Sequence, residues 1–306
     1  MAHIYDKAFF GSAIVSAKDA NLSVMSSAVL YGLSVYSVFP VCITKNGPAA
    51  FRLKDHFKRL IDSARIIGID TFEQQWTEEK FIETVRQVVA ANSIKEDVFL
   101  RVTVHVNELL PGTRSRGLST AVSMFIYKAS EILPKSGVRL KTSVWRRVPD
   151  YAIPSRAKVN GAYVNSVLAK QDAIDSGYDD CIFLDADGHV CELSAANIFV
   201  VRNGVLITPS TSSDILEGIT RRTIIELARD MKIPVAERTI DLTELYIADE
   251  VFASGTSAFV ASVKEIDKRV IANGKIGPIT SALQTKYREA LHGSSPRYKH
   301  LLTVLK

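Results

Sequence analysis

From Val98 to Asn107 the chain alternates without a break, so that Val98, Leu100, Val102, Val104 and Val106 share one face of a strand and Phe99, Arg101, Thr103 and His105 the other. Such a strand commits its surroundings. One face must meet an apolar layer, because a one-residue slip would turn every aliphatic side chain to the wrong side. Upstream, Phe57, Leu60, Ile61, Ala64 and Ile67 recur at helical spacing from about Asp55, and Phe81, Val85, Val88 and Val89 do so over 77–92, predicting two amphipathic helices. Residues 35–44, mainly apolar and β-branched, predict a strand that turns at Asn46-Gly47-Pro48 into a short one around Phe51. A further strand is predicted over 121–127.

Pro134-Lys135-Ser136-Gly137 reads as an interdomain link, giving a small N-terminal domain at 1–128, a linker at 129–137 and a larger domain at 138–306. In the second domain a strand over 138–145 leads through Pro149 and Pro154 to Lys158, and a helix over 161–176 stops at Gly177. Asp187-Gly188 and Asn203-Gly204, each between apolar runs, predict hairpins. Ile224, Leu227, Ala228 and Met231 predict a helix after Thr220 that ends before Pro234, and strands at about 235–240 and 250–254 flank a short helix. Two α+β domains with largely antiparallel sheets follow, and 306 residues suffice for two apolar cores.

Composition narrows the function classes. The net charge of +5 is scattered, with no basic run interleaved with aromatics, so nucleic acid is not an expected partner. No apolar run reaches bilayer length, which predicts no membrane partner, and the N-terminus reads as a mature start without a leader. Cys42, Cys181 and Cys191 have no metal-ligand spacing and are too few for a disulfide framework. They read as reduced thiols of a cytoplasmic protein. The polar stretch 294–300 reads either as a mobile tail or as a non-native addition, and no function is assigned to it.

Several residues carry chemistry when taken together. Lys158 follows an extended Pro-rich approach and precedes a helix, and a lysine so placed can condense with an aldehyde cofactor; by itself it also fits a solvated side chain. Tyr163 lies in the first turn of that helix, within reach of a phenolic oxygen. Glu192, amid Val190, Cys191 and Leu193, needs a cationic partner if buried, and a protonated pyridine nitrogen is one; by itself it also fits an exposed strand end. Gly218-Ile219-Thr220 opens a helix whose free N–H groups suit an anion, although Thr220 as a plain N-cap explains the segment equally well. Gly255-Thr256-Ser257 is either a second anion clamp or an ordinary turn, and Arg59 lies off the main apolar stripe of its helix.

Four segments, 157–163 (AKVNGAY), 191–199 (CELSAANIF), 215–221 (ILEGITR) and 248–252 (ADEVF), resemble the fold-type IV pyridoxal-phosphate enzymes, and within them the branched-chain amino-acid aminotransferases. The resemblance extends over nearly all of 1–292, including 52–60 and 277–280, and implies a small α/β sandwich domain beside a larger domain with a pseudo-barrel sheet. It implies pyridoxal 5'-phosphate as cofactor, Lys158 as the Schiff-base lysine, Glu192 on the pyridine nitrogen and Tyr163 on the ring oxygen. Arg59, Ile219, Thr220 and Thr256 would hold the phosphate, Leu216 would pack on the ring, and Asn197 and Gly218 would adjoin the cofactor. It further implies transamination between small-molecule amino donors and keto acids by a ping-pong course, in a homodimer.

Tyr31, Tyr36, Phe39 and Phe99 are candidates for an apolar substrate wall, with Val38, Ser257 and Ala258 beside it, and Arg101 for pairing with a carboxylate. The sequence departs from the branched-chain pattern at Phe99, where a Tyr is usual, at Ser37-Val38-Phe39, and at Leu193-Ser194-Ala195-Ala196 in place of a Gly-rich run ending in Glu. Phe259 also replaces a frequent Glu. Val38 and the Val35-Tyr36 pair are nearer to D-amino-acid aminotransferases, and the loop 111–116, with Arg114 and Arg116, resembles one that carries a carboxylate-binding Arg there. The leading expectation is a transaminase for branched-chain or hydrophobic L-amino acids and 2-oxoglutarate. The alternatives are a D-amino-acid or (R)-amine transaminase, and an aminodeoxychorismate-type lyase on the same fold.

Overall fold

The computed structural model describes residues 3–306. They divide into two compact units, one comprising residues 3–130, 157–162 and 290–306 and the other 131–156 and 163–289. Two segments therefore depart from the simple cut expected at the linker. Residues 157–162, around Lys158, and the C-terminal 290–306 both group with the N-terminal unit.

The N-terminal unit is built on a seven-stranded antiparallel sheet. Its centre is the alternating strand, Val98–Val106, between Ser34–Thr44 and Thr120–Lys128. The register pairs Val35 with Val104, Ser37 with Val102, Phe39 with Leu100 and Val41 with Val98. These rungs form the face covered by the helices Leu53–Ile66 and Glu78–Asn92, in one apolar cluster with Leu60, Phe81, Val85 and Met124. Phe39 belongs to this core rather than to a substrate wall: it is fully buried against His56 and Phe81, at 5.5 and 6.3 Å between ring centroids. Parity decides this, since Phe39 is an odd step from Tyr36 and Val38.

The 294–300 stretch is ordered, contrary to the expectation of a mobile tail. Pro296–Leu301 is a 3-10 helix, and Leu302–Val304 adds an edge strand to Gly47–Phe51. Tyr298 and Leu305 are buried and anchor it. Tyr298 stands alone among polar neighbours and the largely apolar run 301–305 is too short to show a period, so the packing was illegible in the sequence.

The second unit contains a nine-stranded sheet in which the strands Asn197–Arg202, Glu250–Gly255, Phe259–Ile266, Val138–Thr142, Asp180–Leu184 and Val190–Leu193 pair in turn and close where Asn197 meets Glu192. This is the barrel-like sheet expected. Leu140, Ile182, Val190, Ile198, Val251 and Val263 share one buried cluster, while Phe183, Cys181 and Cys191 pack with Ala169 and Ala173 of the helix Tyr163–Asp175 in another. Burial on both sides explains runs that are apolar throughout rather than alternating. The predicted turns recur: Asn203 and Gly204, both at positive φ, join Asn197–Arg202 to Val205–Thr208.

Candidate active site

Each unit carries its own group of candidate residues. In the N-terminal unit the segment around Lys158 lies along the strand Ser34–Thr44: Tyr36 N–H donates to the Lys158 carbonyl at 3.0 Å, Asn160 N–H donates to the Ser34 carbonyl at 2.9 Å, and Val35 bridges Val159. The fully buried Ser63 couples this segment to the helix Leu53–Ile66. Its hydroxyl accepts from Lys158 N–H at 3.1 Å and donates to the Arg59 carbonyl at 2.7 Å. One hydroxyl thus links the backbones of Lys158 and Arg59. The Arg59 side chain donates to Ser37 Oγ at 3.2 Å, and Ser37 Oγ lies 2.8 Å from His56 Nδ1.

Tyr36 is shared by two cations: Lys158 Nζ is 4.8 Å and Arg101 Cζ 3.8 Å from its ring centroid. Arg101 also donates to Asn160 Oδ1 at 2.6 Å, and Asn160 Nδ2 donates to Ser34 Oγ at 2.7 Å. The strand face that carries Arg101 and Phe99, as the alternation predicted, gathers Tyr36 and Val38 from the neighbouring strand. Val38 sits directly opposite Arg101, and Phe99 is buried against Tyr127 at 5.7 Å. His105 on the same face bonds Ser123 Oγ at 2.8 Å; burial and then the Arg101 charge push its imidazole down to about 4. Tyr31, Arg114 and Arg116 are exposed, and the loop carrying the two arginines is tied at its end by Gly117 N–H to Asp70 Oδ1 at 2.9 Å.

The second unit holds Glu192 on a rung of three strands, paired with Asn197, which in turn pairs with Ser254. Glu192 is buried and accepts from Asn197 Nδ2 at 2.9 Å, from Leu216 N–H at 3.2 Å to both oxygens, and from Arg147 at 3.0 Å. Arg147 is the cation that a carboxylate in apolar company requires, and it was missed in the sequence. The signal was there: Arg146-Arg147 interrupts the approach between a strand and Pro149. Asn197 Nδ2 also donates to the Leu216 carbonyl at 2.9 Å, so the side chains of Glu192 and Asn197 fix the segment that precedes Gly218.

Gly218, not Thr220, is the N-cap of the helix Ile219–Asp230. No side chain among the described residues caps this terminus, so its first N–H groups are available to an anion. A Cβ at Gly218 would collide with Asn197 Oδ1, so close approach rather than φ demands glycine. Thr220 is buried with its hydroxyl 3.4 Å from Tyr287. Tyr163 begins the helix Tyr163–Asp175 and is half-buried, and Thr256, Ser257 and Ala258 form the turn between Glu250–Gly255 and Phe259–Ile266. The hydroxyls of Ser194 and Ser254 are buried without a hydrogen-bond partner among the described residues, beside the Glu192–Asn197 rung. An uncapped helix start, a glycine kept bare and two orphan hydroxyls leave donors that a bound anionic, polar ring system would use. The donor set fits such a cofactor.

Residues 37–266 match the family described as Amino-transferase class IV. This chain belongs to that family. As a class IV aminotransferase it has relatives of matching length: it is 40% identical over 302 residues, 97% of this chain and 96% of the relative, to a probable branched-chain-amino-acid aminotransferase of Aquifex aeolicus (strain VF5). It is 35% identical over 303 residues, 97% of both chains, to a branched-chain-amino-acid aminotransferase of Pseudomonas aeruginosa. Among solved structures, the branched-chain aminotransferase of Thermoproteus uzoniensis with norvaline superposes with a TM-score of 0.93 at 35% identity, covering 100% of both chains. The branched-chain amino acid aminotransferase of Thermobaculum terrenum in its PLP-form (holo-form) does so with a TM-score of 0.90 at 30% identity, covering 99% of both.

Proposed function

We propose that this aminotransferase moves an amino group between a branched-chain or other hydrophobic L-amino acid and 2-oxoglutarate, with pyridoxal 5'-phosphate as cofactor. The observation that carries the reading is the Tyr36 ring shared by the Lys158 amine and the Arg101 guanidinium. A nucleophilic amine and a carboxylate clamp on one aromatic platform match a substrate with a reacting carbon at one end and an acid at the other. Relatives named for branched-chain substrates, one of them solved with N-(5'-phosphopyridoxyl)-L-glutamate, support both halves of the reaction.

The cofactor, when bound, supplies a carbonyl that receives the amino group and a ring that draws electrons from the substrate α-carbon. Lys158 Nζ would anchor it and would carry the α-proton. Glu192, steadied by Arg147, Asn197 and the Leu216 N–H, faces the protonated pyridine nitrogen, and Tyr163 bonds the ring oxygen. Arg59, the N–H groups of Ile219 and Thr220, and Thr256 hold the phosphate, while the Leu216 side chain packs on the ring. Tyr31, Tyr36, Val38, Phe99, Ser257 and Ala258 shape the apolar subsite, and Arg101 takes the distal carboxylate, with Arg114 and Arg116 as further cations. The exposed Val24, Met25, Val29, Leu30, Leu109 and Leu110 support a homodimer, which such an apolar surface needs as cover. The free, buried thiols support a cytoplasmic setting, and no helix among the described residues is long and apolar enough to cross a membrane.

The test is a half-reaction: the protein loaded with cofactor is mixed separately with L-leucine, D-alanine and (R)-1-phenylethylamine, and conversion of the cofactor absorbance is followed. Fast conversion by L-leucine alone is expected. Conversion by D-alanine or the (R)-amine in its place would overturn the substrate assignment and turn attention to Val38, Phe99 and the Arg114/Arg116 loop.

A further inference from the structure

We propose that Cys42, Asp97 and His292 form a binding site for a borderline divalent cation of the zinc type. Their ligand atoms, a thiol sulfur, a carboxylate oxygen and an imidazole nitrogen, all lie within 4.8 Å of one another. None of the three belongs to the chemistry assigned above. They come from three separate parts of the N-terminal unit: Cys42 near the end of the strand Ser34–Thr44, Asp97 just before Val98–Val106, and His292 just after the helix Pro278–Leu291. The sheet register sets the first two side by side, since Val41 pairs with Val98 and the next position along brings Cys42 to Asp97. His292 is held there by its Nε2, 2.8 Å from Asp97 Oδ2, while the other oxygen, Oδ1, accepts the Ile43 N–H at 2.9 Å.

The donor set selects the cation. One sulfur and one imidazole nitrogen exclude calcium and magnesium, which take oxygen ligands, and three protein ligands with an open fourth position describe a tetrahedral site completed by water. The opening is on the right side: Cys42 is buried, whereas the side chains of Asp97 and His292 are 39% and 43% exposed, so an ion enters past them and meets the sulfur last. Binding forms a metal–sulfur bond and releases the thiol proton to solvent, together with any proton shared by His292 and Asp97, with no change of oxidation state.

The consequence lies in the fold. His292 stands at the start of the segment 290–306 that adds an edge strand to the N-terminal sheet through Leu302–Val304, so the ion would clip this segment to the two central strands. The experiment titrates the full-length, cofactor-loaded protein with Co²⁺ and reads the d–d absorption in the red, clear of the cofactor, followed by displacement with Zn²⁺. Intense tetrahedral bands at one equivalent are expected, lost in Cys42→Ser and weakened by more than about 100-fold in affinity in His292→Gln, an exposed position where folding is not at stake. Unchanged aminotransferase turnover in both variants checks that they are folded. Absence of the bands in the parent protein, or bands of full strength persisting in both variants, would overturn the site.

Discussion

At the scale of single residues the decisive feature is how few side chains act alone. Glu192 is held by Arg147, Asn197 and a backbone N–H, and the pair with Arg147 is buried, with side-chain exposures of 7% and 13%. Removing one partner of a buried pair leaves an uncompensated charge, so Arg147→Ala is expected to lower stability by about 3–5 kcal/mol. Urea unfolding at neutral pH measures this, and a loss below that of an ordinary surface arginine would mean that water replaces the guanidinium. Arg101 has a second role through His105. Because burial and Arg101 depress the His105 imidazole from 6.5 to about 4, the folded state binds its proton less readily than the unfolded one. Its contribution is present above about pH 6.5 and is lost as pH falls towards 4, an effect on the order of 3 kcal/mol. Arg101→Ala should raise the His105 midpoint, read by NMR titration, and flatten this acid loss. It should also raise KM for 2-oxoglutarate far more than for L-leucine, and equal losses would place the acceptor clamp elsewhere.

At the scale of elements, caps and close packing do what periodicity cannot announce. The helix Pro278–Leu291 begins on the buried carboxylate of Glu250, which accepts from Ile279 N–H at 3.0 Å, Thr280 N–H at 2.7 Å and the Thr280 hydroxyl at 2.6 Å. Hydrogen bonds from three donors to one charged group at a helix N-terminus predict a loss of about 2–4 kcal/mol for Glu250→Ala, with Glu250→Gln intermediate. Thermal unfolding of the two variants checks the order. The strands Ser34–Thr44 and Val98–Val106, the helices Leu53–Ile66 and Glu78–Asn92 and the Asn203-Gly204 hairpin were legible because each is specified by a local period or a turn with positive φ. Glu250 as a cap was not, since its partners lie about thirty residues on. The strand expected to reach residue 145 ends at Thr142, where the chain turns away towards Arg147 and its buried partner.

At the scale of the whole molecule, the surface shows what the cores do not absorb. Val24, Met25 and Leu110 are 74%, 46% and 68% exposed, and Leu110 N–H bonds the Met25 carbonyl at 3.2 Å, so these residues form one patch. A charge placed there should oppose association without touching any core. Leu110→Lys is expected to shift sedimentation from dimer to monomer and to reduce turnover, and a parent protein that sediments as a monomer would remove the proposed homodimer.

The sequence by itself determined the strand faces, the main helices, the α+β class and the motifs of the family, since alternation, helical spacing and short motifs are local properties of the chain. Tertiary structure alone decided which charges are partnered. It set Arg147 on Glu192, Asn160 on Arg101, Ser63 between Arg59 and Lys158, and Cys42 beside Asp97 and His292. The physical reason is range: a side chain's fold preference is felt within a few residues, whereas a buried charge is satisfied by whatever donor the packing brings within about 3 Å, at any separation along the chain.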